Sequence, residues 1–324
     1  PVDPTPEFIQ KVLAESANSP SYPTTAGTPE LQQAIRTWAT RHLSITGDFD
    51  VLPVIGSKEL VAWLPTFLQS ETVLYPKIAY PTYLVGAMLA QSHEIAVDID
   101  ASQWPQADLA WVNSPANPTG RVHSEAELRA VIQWSRKNKA VVISDECYLE
   151  FGDGVTPTSI FAYSDGDNAN LLAVHSLSKR SSLAGYRAAF MVGGPVLIAA
   201  IREIRKQAGM MVALPVQKAM TAALGDDEHV ATARARYNSR RATLKPALVA
   251  AGFRIDESVA GLYIWCTRNE DSWKSVDWLA EIGILATPGS FYGPDGSDHI
   301  RVAMTATDSA ISDAAARIMA AIGA

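Results

Sequence analysis

Cysteine is nearly missing from this chain. Cys147 and Cys266 are the only two in 324 residues, and neither sits in a Cys-x-x-Cys pair. The six histidines are scattered, with no two at zinc-ligand spacing. A disulfide-stapled fold and a structural zinc centre are therefore excluded as organising features. The pattern fits buried, reduced thiols and a cytoplasmic location, and we expect no metal. There is also no excess of positive charge: 27 Lys and Arg face 34 Asp and Glu, a formal charge of -7. Without a basic tail or stripe, non-specific nucleic-acid binding has no electrostatic footprint. No apolar run reaches the roughly 20 residues that a membrane helix needs. The opening Pro1-Val2-Asp3-Pro4-Thr5-Pro6 has no initiator Met, no signal-type segment and no basic arm, so we read it as the interior of a longer chain.

The sequence does contain a regular alternation. Short apolar runs at 51–55, 72–75, 95–97, 109–112, 140–144, 171–174 and 187–192 are separated by helical patterns. Helices are expected from Glu7 to Ala17, from Pro29 to His42 behind Thr28 as N-cap, and from Glu59 to Phe67. Another opens in Ala79-Tyr80-Pro81-Thr82-Tyr83, and a further one follows the Ser124-x-x-Glu127 capping box. Near-continuous apolar strands between helices predict an α/β fold with a mainly parallel seven-stranded sheet covered on both faces. After about residue 236 the pattern changes. A long helix from Asp226 to Ala250, expected to break at Pro246, leads into short strands at 253–255, 261–266 and 300–304 and a final helix. We expect a large unit over 1–236, whose first residues pack on the other unit, and a smaller α+β unit over 237–324.

Ligands of such sheets bind outside the carboxyl ends of the strands. Ser57, Asn117, Asp145 and Lys179 all fall there. The run Val174-His175-Ser176-Leu177-Ser178-Lys179 leads to Arg187. A lysine leaving a buried strand favours its neutral, nucleophilic amine, which condenses with aldehydes. Ser176, Ser178 and Arg187 are donors suited to a phosphate dianion. An aldehyde carrying a phosphate describes pyridoxal 5′-phosphate (PLP). The turn Gly56-Ser57-Lys58-Glu59 is either a second phosphate seat at a helix N-terminus or a plain strand-to-helix turn. Asp145 is either a functional carboxylate or a cap, and Arg301 either a substrate grip or a salt-bridge partner. Arg205 and Lys206 read as an exposed helix face, and His175 as a structural hydrogen-bonding residue.

The set Asn117-Pro-Thr-Gly, Asp145 with Tyr148, Ser176-Leu-Ser-Lys179, Gly185-Tyr-Arg187 and Arg301 resembles the fold-type I PLP-dependent aminotransferases, in order and over essentially the whole chain. Ser114-Pro-Ala-Asn-Pro-Thr-Gly, Asp145-Glu-Cys-Tyr-Leu, His175-Ser-Leu-Ser-Lys and Ala303-Met-Thr-Ala-Thr-Asp most resemble the bacterial N-succinyldiaminopimelate aminotransferases.

The resemblance implies that Lys179 is the Schiff-base lysine and moves the substrate proton, and that Asp145 pairs with the pyridine nitrogen. It implies that Asn117 and Tyr148 hydrogen-bond the phenolic oxygen, and that Tyr83 stacks on the ring. Gly56, Ser57, Lys58, Ser176 and Arg187 would form the phosphate seat. Tyr22 would reach the phosphate site of a second subunit, making a homodimer with shared sites. Arg301 would grip the substrate carboxylate beside Asn117. A glycine-containing segment ahead of Pro1 would line the pocket. The implied reaction is ping-pong transfer between glutamate and N-succinyl-2-amino-6-oxopimelate, in lysine and diaminopimelate biosynthesis. Aspartate and aromatic aminotransferases and C–S β-lyases share most of this set. A non-catalytic regulator would need an attached DNA-binding region, and none is visible.

Overall fold

The computed structural model describes residues 2–323; Pro1 and Ala324 lie outside the described residues. Seven strands build the larger sheet: β1 (Asp50–Val54), β2 (Thr72–Pro76), β3 (His93–Val97), β4 (Leu109–Asn113), β5 (Val141–Asp145), β6 (Leu171–Ser176) and β7 (Ala189–Gly193). Their order is β1-β7-β6-β5-β4-β2-β3. The contacts among β3, β2, β4, β5 and β6 are all parallel. β7 runs antiparallel to both β1 and β6.

β4, β6 and β7 are buried at every position, as strands covered on both faces must be. One apolar cluster centred on Trp38, Leu128, Phe161 and Phe190 fills one side. A second, with Leu60, Tyr83, Trp111 and Ile198, fills the other. Thr28 caps its helix by accepting from the Leu31 N–H, and Ser124 and Glu127 complete their reciprocal capping box, as their spacing predicts.

A smaller antiparallel sheet follows, in the order β10-β11-β9-β8: β8 (Arg254–Asp256), β9 (Tyr263–Thr267), β10 (Thr287–Pro288) and β11 (Ile300–Ala303). It packs on the helix Glu228–Ala250 and the final helix Asp308–Ile322 around Leu244, Leu248, Ile264 and Met304. The expected break at Pro246 is a correction: the helix runs unbroken from Glu228 to Ala250. Leu244, Ala247 and Leu248, on either side of the proline, are buried in the small-sheet core, and that packing offsets the one lost backbone bond. The same helix carries Tyr237 into that core, so the expected boundary at 236/237 falls inside one continuous element. The N-terminal segment joins this part. Val2 N–H donates to the Thr305 carbonyl, and Asp3 accepts from Arg236, Arg240 and Tyr237.

Candidate active site

Parallel strands deliver their carboxyl ends to one edge. β4 ends at Asn113, β5 at Asp145 and β6 at Ser176. β7 runs the other way, so its first residue meets those ends: Ala189 pairs with Ser176 and with Val54. Arg187, just ahead of β7, is thereby carried to the same edge. A cavity of about 250 Å³ opens there, lined by Ser57, Lys58, Asn117, Asp145, Tyr148, Ser176, Lys179, Arg187 and Arg301, all of them singled out from the sequence.

Gly56 shows why the turn before Ser57 requires glycine. Its φ is +97°, and a Cβ there would stand 2.2 Å from Arg187 Nη2. The bare backbone lets the guanidinium lie against the N-terminus of the helix Ser57–Phe67, where free N–H groups and the helix dipole already favour an anion. Arg187 itself has φ +55°, costing of order 1 kcal/mol for a residue with a side chain; its Nη1 donates to the Ala184 carbonyl at 2.7 Å. Ser176 caps the single helical turn Leu177–Arg180, accepting from the Ser178 N–H. This turn presents Lys179, which is half-buried and also lines a second, larger cavity beside Asp3–Phe8.

Asp145 is buried. Tyr83 Oη donates to its Oδ2 at 2.8 Å and the Cys147 N–H to its Oδ1 at 3.2 Å. Burial raises its pKa above the ordinary carboxylate range, and those two hydrogen bonds pull in the opposite direction. A carboxylate in this position gains most from a cation placed against it. Asn113 holds the neighbouring loop. Its Nδ2 donates to the Asp145 and Pro115 carbonyls, and its Oδ1 accepts from the Asn117 N–H. Gly120 closes the loop at φ +70°, where a Cβ would lie 2.6 Å from the Ala260 carbonyl oxygen, and the Ser258 N–H donates to the Thr119 carbonyl at 2.9 Å. The loop is thus clamped between the two sheets.

Arg301 enters from β11. Its Nη1 donates to Asn117 Oδ1 at 3.0 Å, and its Cζ lies 4.0 Å from the Tyr263 ring centroid and 5.1 Å from that of Tyr292. Its Nε is buried without a partner. Its Nη2 makes only a long contact to Thr287 Oγ1, at 3.5 Å, and the side chain lines the cavity; a planar cation so placed is suited to a carboxylate.

Two expectations are corrected. Tyr83 is fully buried behind Asp145, stacked on Trp111 with centroids 4.9 Å apart, and does not line the cavity. Its phenol is drawn to the carboxylate, and Tyr80 supplies the aromatic wall instead. Arg205 is not on an exposed face. It is 0% exposed and forms a fork on Glu59 at 2.8 and 3.0 Å. Tyr22 is 94% exposed and takes no part in this chain's own cavity. Cys147 packs against both cores, as expected of a core residue, and also lines the cavity. His175 is buried, and burial lowers its pKa to about 3, so it is neutral. Tyr80, Asn113 and Tyr263 were not anticipated. Tyr80 was legible only as part of a helix start, and Tyr263 reaches the site from the other sheet, with no local signal.

The fold and the cavity define an α/β enzyme of the PLP-dependent transferase kind. The donor set fits that cofactor: an anion seat at Gly56–Ser57, Ser176 and Arg187; a buried acid lacking a cation; a lysine amine; and a separate carboxylate seat at Arg301. The chain belongs to the class I and II aminotransferase family, whose model matches residues 2–318, and this family uses PLP. It is 50% identical to the probable aminotransferase Rv1178 of Mycobacterium tuberculosis, covering 98% of this chain and 78% of that protein. It is 47% identical to the 4-dedimethylamino-4-oxo-anhydrotetracycline transaminase OxyQ of Streptomyces rimosus, covering 98% and 90%. Among solved structures, a probable N-succinyldiaminopimelate aminotransferase from Thermus thermophilus superimposes with TM-score 0.91 at 25% identity, over 99% of this chain and 92% of that one.

Proposed function

We propose that this aminotransferase moves an amino group between glutamate and N-succinyl-2-amino-6-oxopimelate, giving 2-oxoglutarate and N-succinyl-LL-2,6-diaminopimelate. The observation that carries the amino-acid half of this reading is Arg301: a half-buried guanidinium over the Tyr263 ring, hydrogen-bonded to Asn117 and lining the same cavity as Lys179, suited to an α-carboxylate. The acceptor is supported by the motif resemblance and by the Thermus thermophilus structural relative. A second reading is favoured by the 47% identity to a transaminase acting on a tetracycline-type ketone. In that reading the acceptor is a larger ring ketone.

The residues divide the work. Ser57, Lys58, Ser176 and Arg187 would bind the phosphate, with Gly56 giving them access. Asp145 keeps the pyridine nitrogen protonated. Asn117 and Tyr148, both lining the cavity, would hydrogen-bond the phenolic oxygen. PLP, when bound, supplies the electron sink for the pair left at the substrate α-carbon. Arg301 would orient the substrate so that its α-hydrogen faces Lys179, whose Nζ would take that proton from the α-carbon and deliver it to the cofactor's C4′. The exposed Tyr22 reaches the phosphate seat of a second copy, so two chains complete each site.

The test uses the PLP-loaded protein. Glutamate should convert its absorbance to that of the amino form, and borohydride followed by peptide mapping should place the cofactor on Lys179. N-succinyl-LL-2,6-diaminopimelate should then outcompete aspartate and aromatic amino acids as donor to 2-oxoglutarate. Faster turnover of an aromatic or cyclic substrate would overturn the acceptor assignment. Release of ammonia and pyruvate from a cysteine conjugate without any 2-oxo acid would identify a lyase. Lys179→Ala should fold and lose turnover; normal transamination by it would defeat the mechanism.

A further inference from the structure

Tyr148 and Tyr263 meet at the cavity with their Oη atoms 3.2 Å apart and their rings edge-on at 5.9 Å. They come from different parts of the chain. Tyr148 follows β5 of the large sheet, and Tyr263 opens β9 of the small one. Both are more than nine-tenths buried. A short backbone bridge sets their spacing: the Asp153 N–H donates to the Val259 carbonyl and the Gly261 N–H to the Phe151 carbonyl, each at 2.8 Å. The Tyr263 ring is also the face on which the Arg301 guanidinium lies, at 4.0 Å. One side chain therefore touches both the hydroxyl assigned to the cofactor oxygen and the cation assigned to the substrate.

Only one proton fits between two phenol oxygens at this distance. If Tyr148 donated to Tyr263, it would have no proton left for the cavity. If Tyr263 donates, the Tyr148 proton is free to point into the cavity. Burial, with the neighbouring phenol next in order, holds the Tyr148 hydroxyl well above the ordinary tyrosine range, so it stays protonated and available as a donor.

We propose that Tyr263 is a positioning residue: its hydroxyl donates to Tyr148 Oη and turns the Tyr148 proton toward the cofactor oxygen, while its ring fixes the plane of Arg301. The proposal rests on the reading of Tyr148 given above. Around the pair stand Asp145 and Cys147 from the end of β5, Lys179 after β6, Lys58 and Tyr80, Arg187 ahead of β7, and Arg301 from β11. A change confined to the Tyr263 hydroxyl leaves all of these in place.

Tyr263→Phe and Tyr263→Leu separate the two roles. A hydrogen bond to the deprotonated cofactor oxygen lowers the pH at which the PLP-loaded protein's visible band titrates, so losing its orientation raises that pH. Tyr263→Phe should raise the absorbance midpoint by at least half a pH unit and leave KM for glutamate within twofold. Tyr263→Leu should raise the midpoint and also raise KM tenfold or more, because Arg301 loses its support. Tyr148→Phe should raise the midpoint alone, and adding Tyr263→Phe to it should cause no further shift. An unmoved midpoint in Tyr263→Phe beside a moved one in Tyr148→Phe would overturn the proposal and leave the reading of Tyr148 standing. A further shift in the double variant would overturn it as well. An unmoved midpoint in Tyr148→Phe would remove both together.

Discussion

Asp145 is held by two donors, and among the described residues no cation forms an ion pair with it, although four line the same cavity. Replacing it with asparagine keeps its volume and can keep the Tyr83 contact, but removes the charge. Asp145→Asn should lower turnover by about 100-fold or more, a loss in the range of general acid–base effects. The same variant without cofactor should be as stable as the parent or slightly more so, since a desolvated carboxylate is gone. Thermal unfolding alongside kinetics checks both halves; a clear loss of stability would mean that the carboxylate serves the fold instead. Arg301→Lys keeps the charge but loses the planar fork. It should raise KM for glutamate by about 10–100-fold, the worth of one charge-assisted hydrogen bond, with a smaller change in kcat. Lys179, Asp145 and Arg301 stood out in the sequence because charge beside an apolar strand is conspicuous. Tyr80 and Tyr83 did not sort themselves. Three residues apart at a helix start, either ring fits the local pattern, and only the hydrogen bond to Asp145 shows which one turns away from the cavity.

Among elements, the helices Ser57–Phe67 and Pro195–Gln207 are locked by the Glu59–Arg205 fork, with Arg205 fully buried. Glu59→Ala would strand that guanidinium. We expect a loss of about 3–5 kcal/mol, the scale for breaking a buried pair by removing one partner, read by denaturant unfolding. Loss of the exposed Lys206–Glu203 contact should be nearly silent. The sequence placed the seven large-sheet strands to within two residues at each end, because apolar run length and the helical patterns between runs are local properties. It misjudged Arg205 for the same reason: a charged residue on a helix reads as exposed unless its partner, 146 positions away, is known. Pro246 was misjudged as well, since the local cost of proline is visible and the packing that offsets it is not.

At the scale of the whole molecule, buried histidines link stability to pH. Burial lowers His123 to about 4 and His175 to about 3. The unfolded chain therefore binds more protons than the folded one between those values and the ordinary histidine range. Their contribution is fully present above about pH 6.5 and is lost as pH falls toward 4. Glu146, raised to about 7 by burial, acts with the opposite sign: its contribution is fully present below its ordinary value of about 4.5 and is lost as pH rises through 7. His229 is lowered by burial as well, and Asp145 is raised by it; three histidines against two carboxylates should leave stability rising between about pH 4.5 and 6.5. His123→Gln should flatten that rise by up to about 1.4 kcal/mol per pH unit. Denaturation midpoints collected at intervals across this window would test the slope, and an unchanged slope would refute the assignment to His123. Among the described residues, no helix is long and apolar enough to cross a membrane.

Local order settled a great deal. The alternation of apolar strands and helices dictates a parallel sheet, and such a sheet brings Ser57, Asn117, Asp145 and Lys179 to one edge, because every parallel strand ends on the same side. Side-chain chemistry there was legible too: an amine, an acid and an anion seat need only the right residues at strand ends. What the tertiary structure alone decided is how the two sheets meet. Tyr263 and Arg301 reach the cavity from β9 and β11, more than a hundred residues beyond Asp145. Their place depends on the clamped loop at Thr119–Gly120 and the bridge between Phe151–Asp153 and Val259–Gly261. No periodicity encodes a contact of that range, because it arises from the packing of two completed cores against each other.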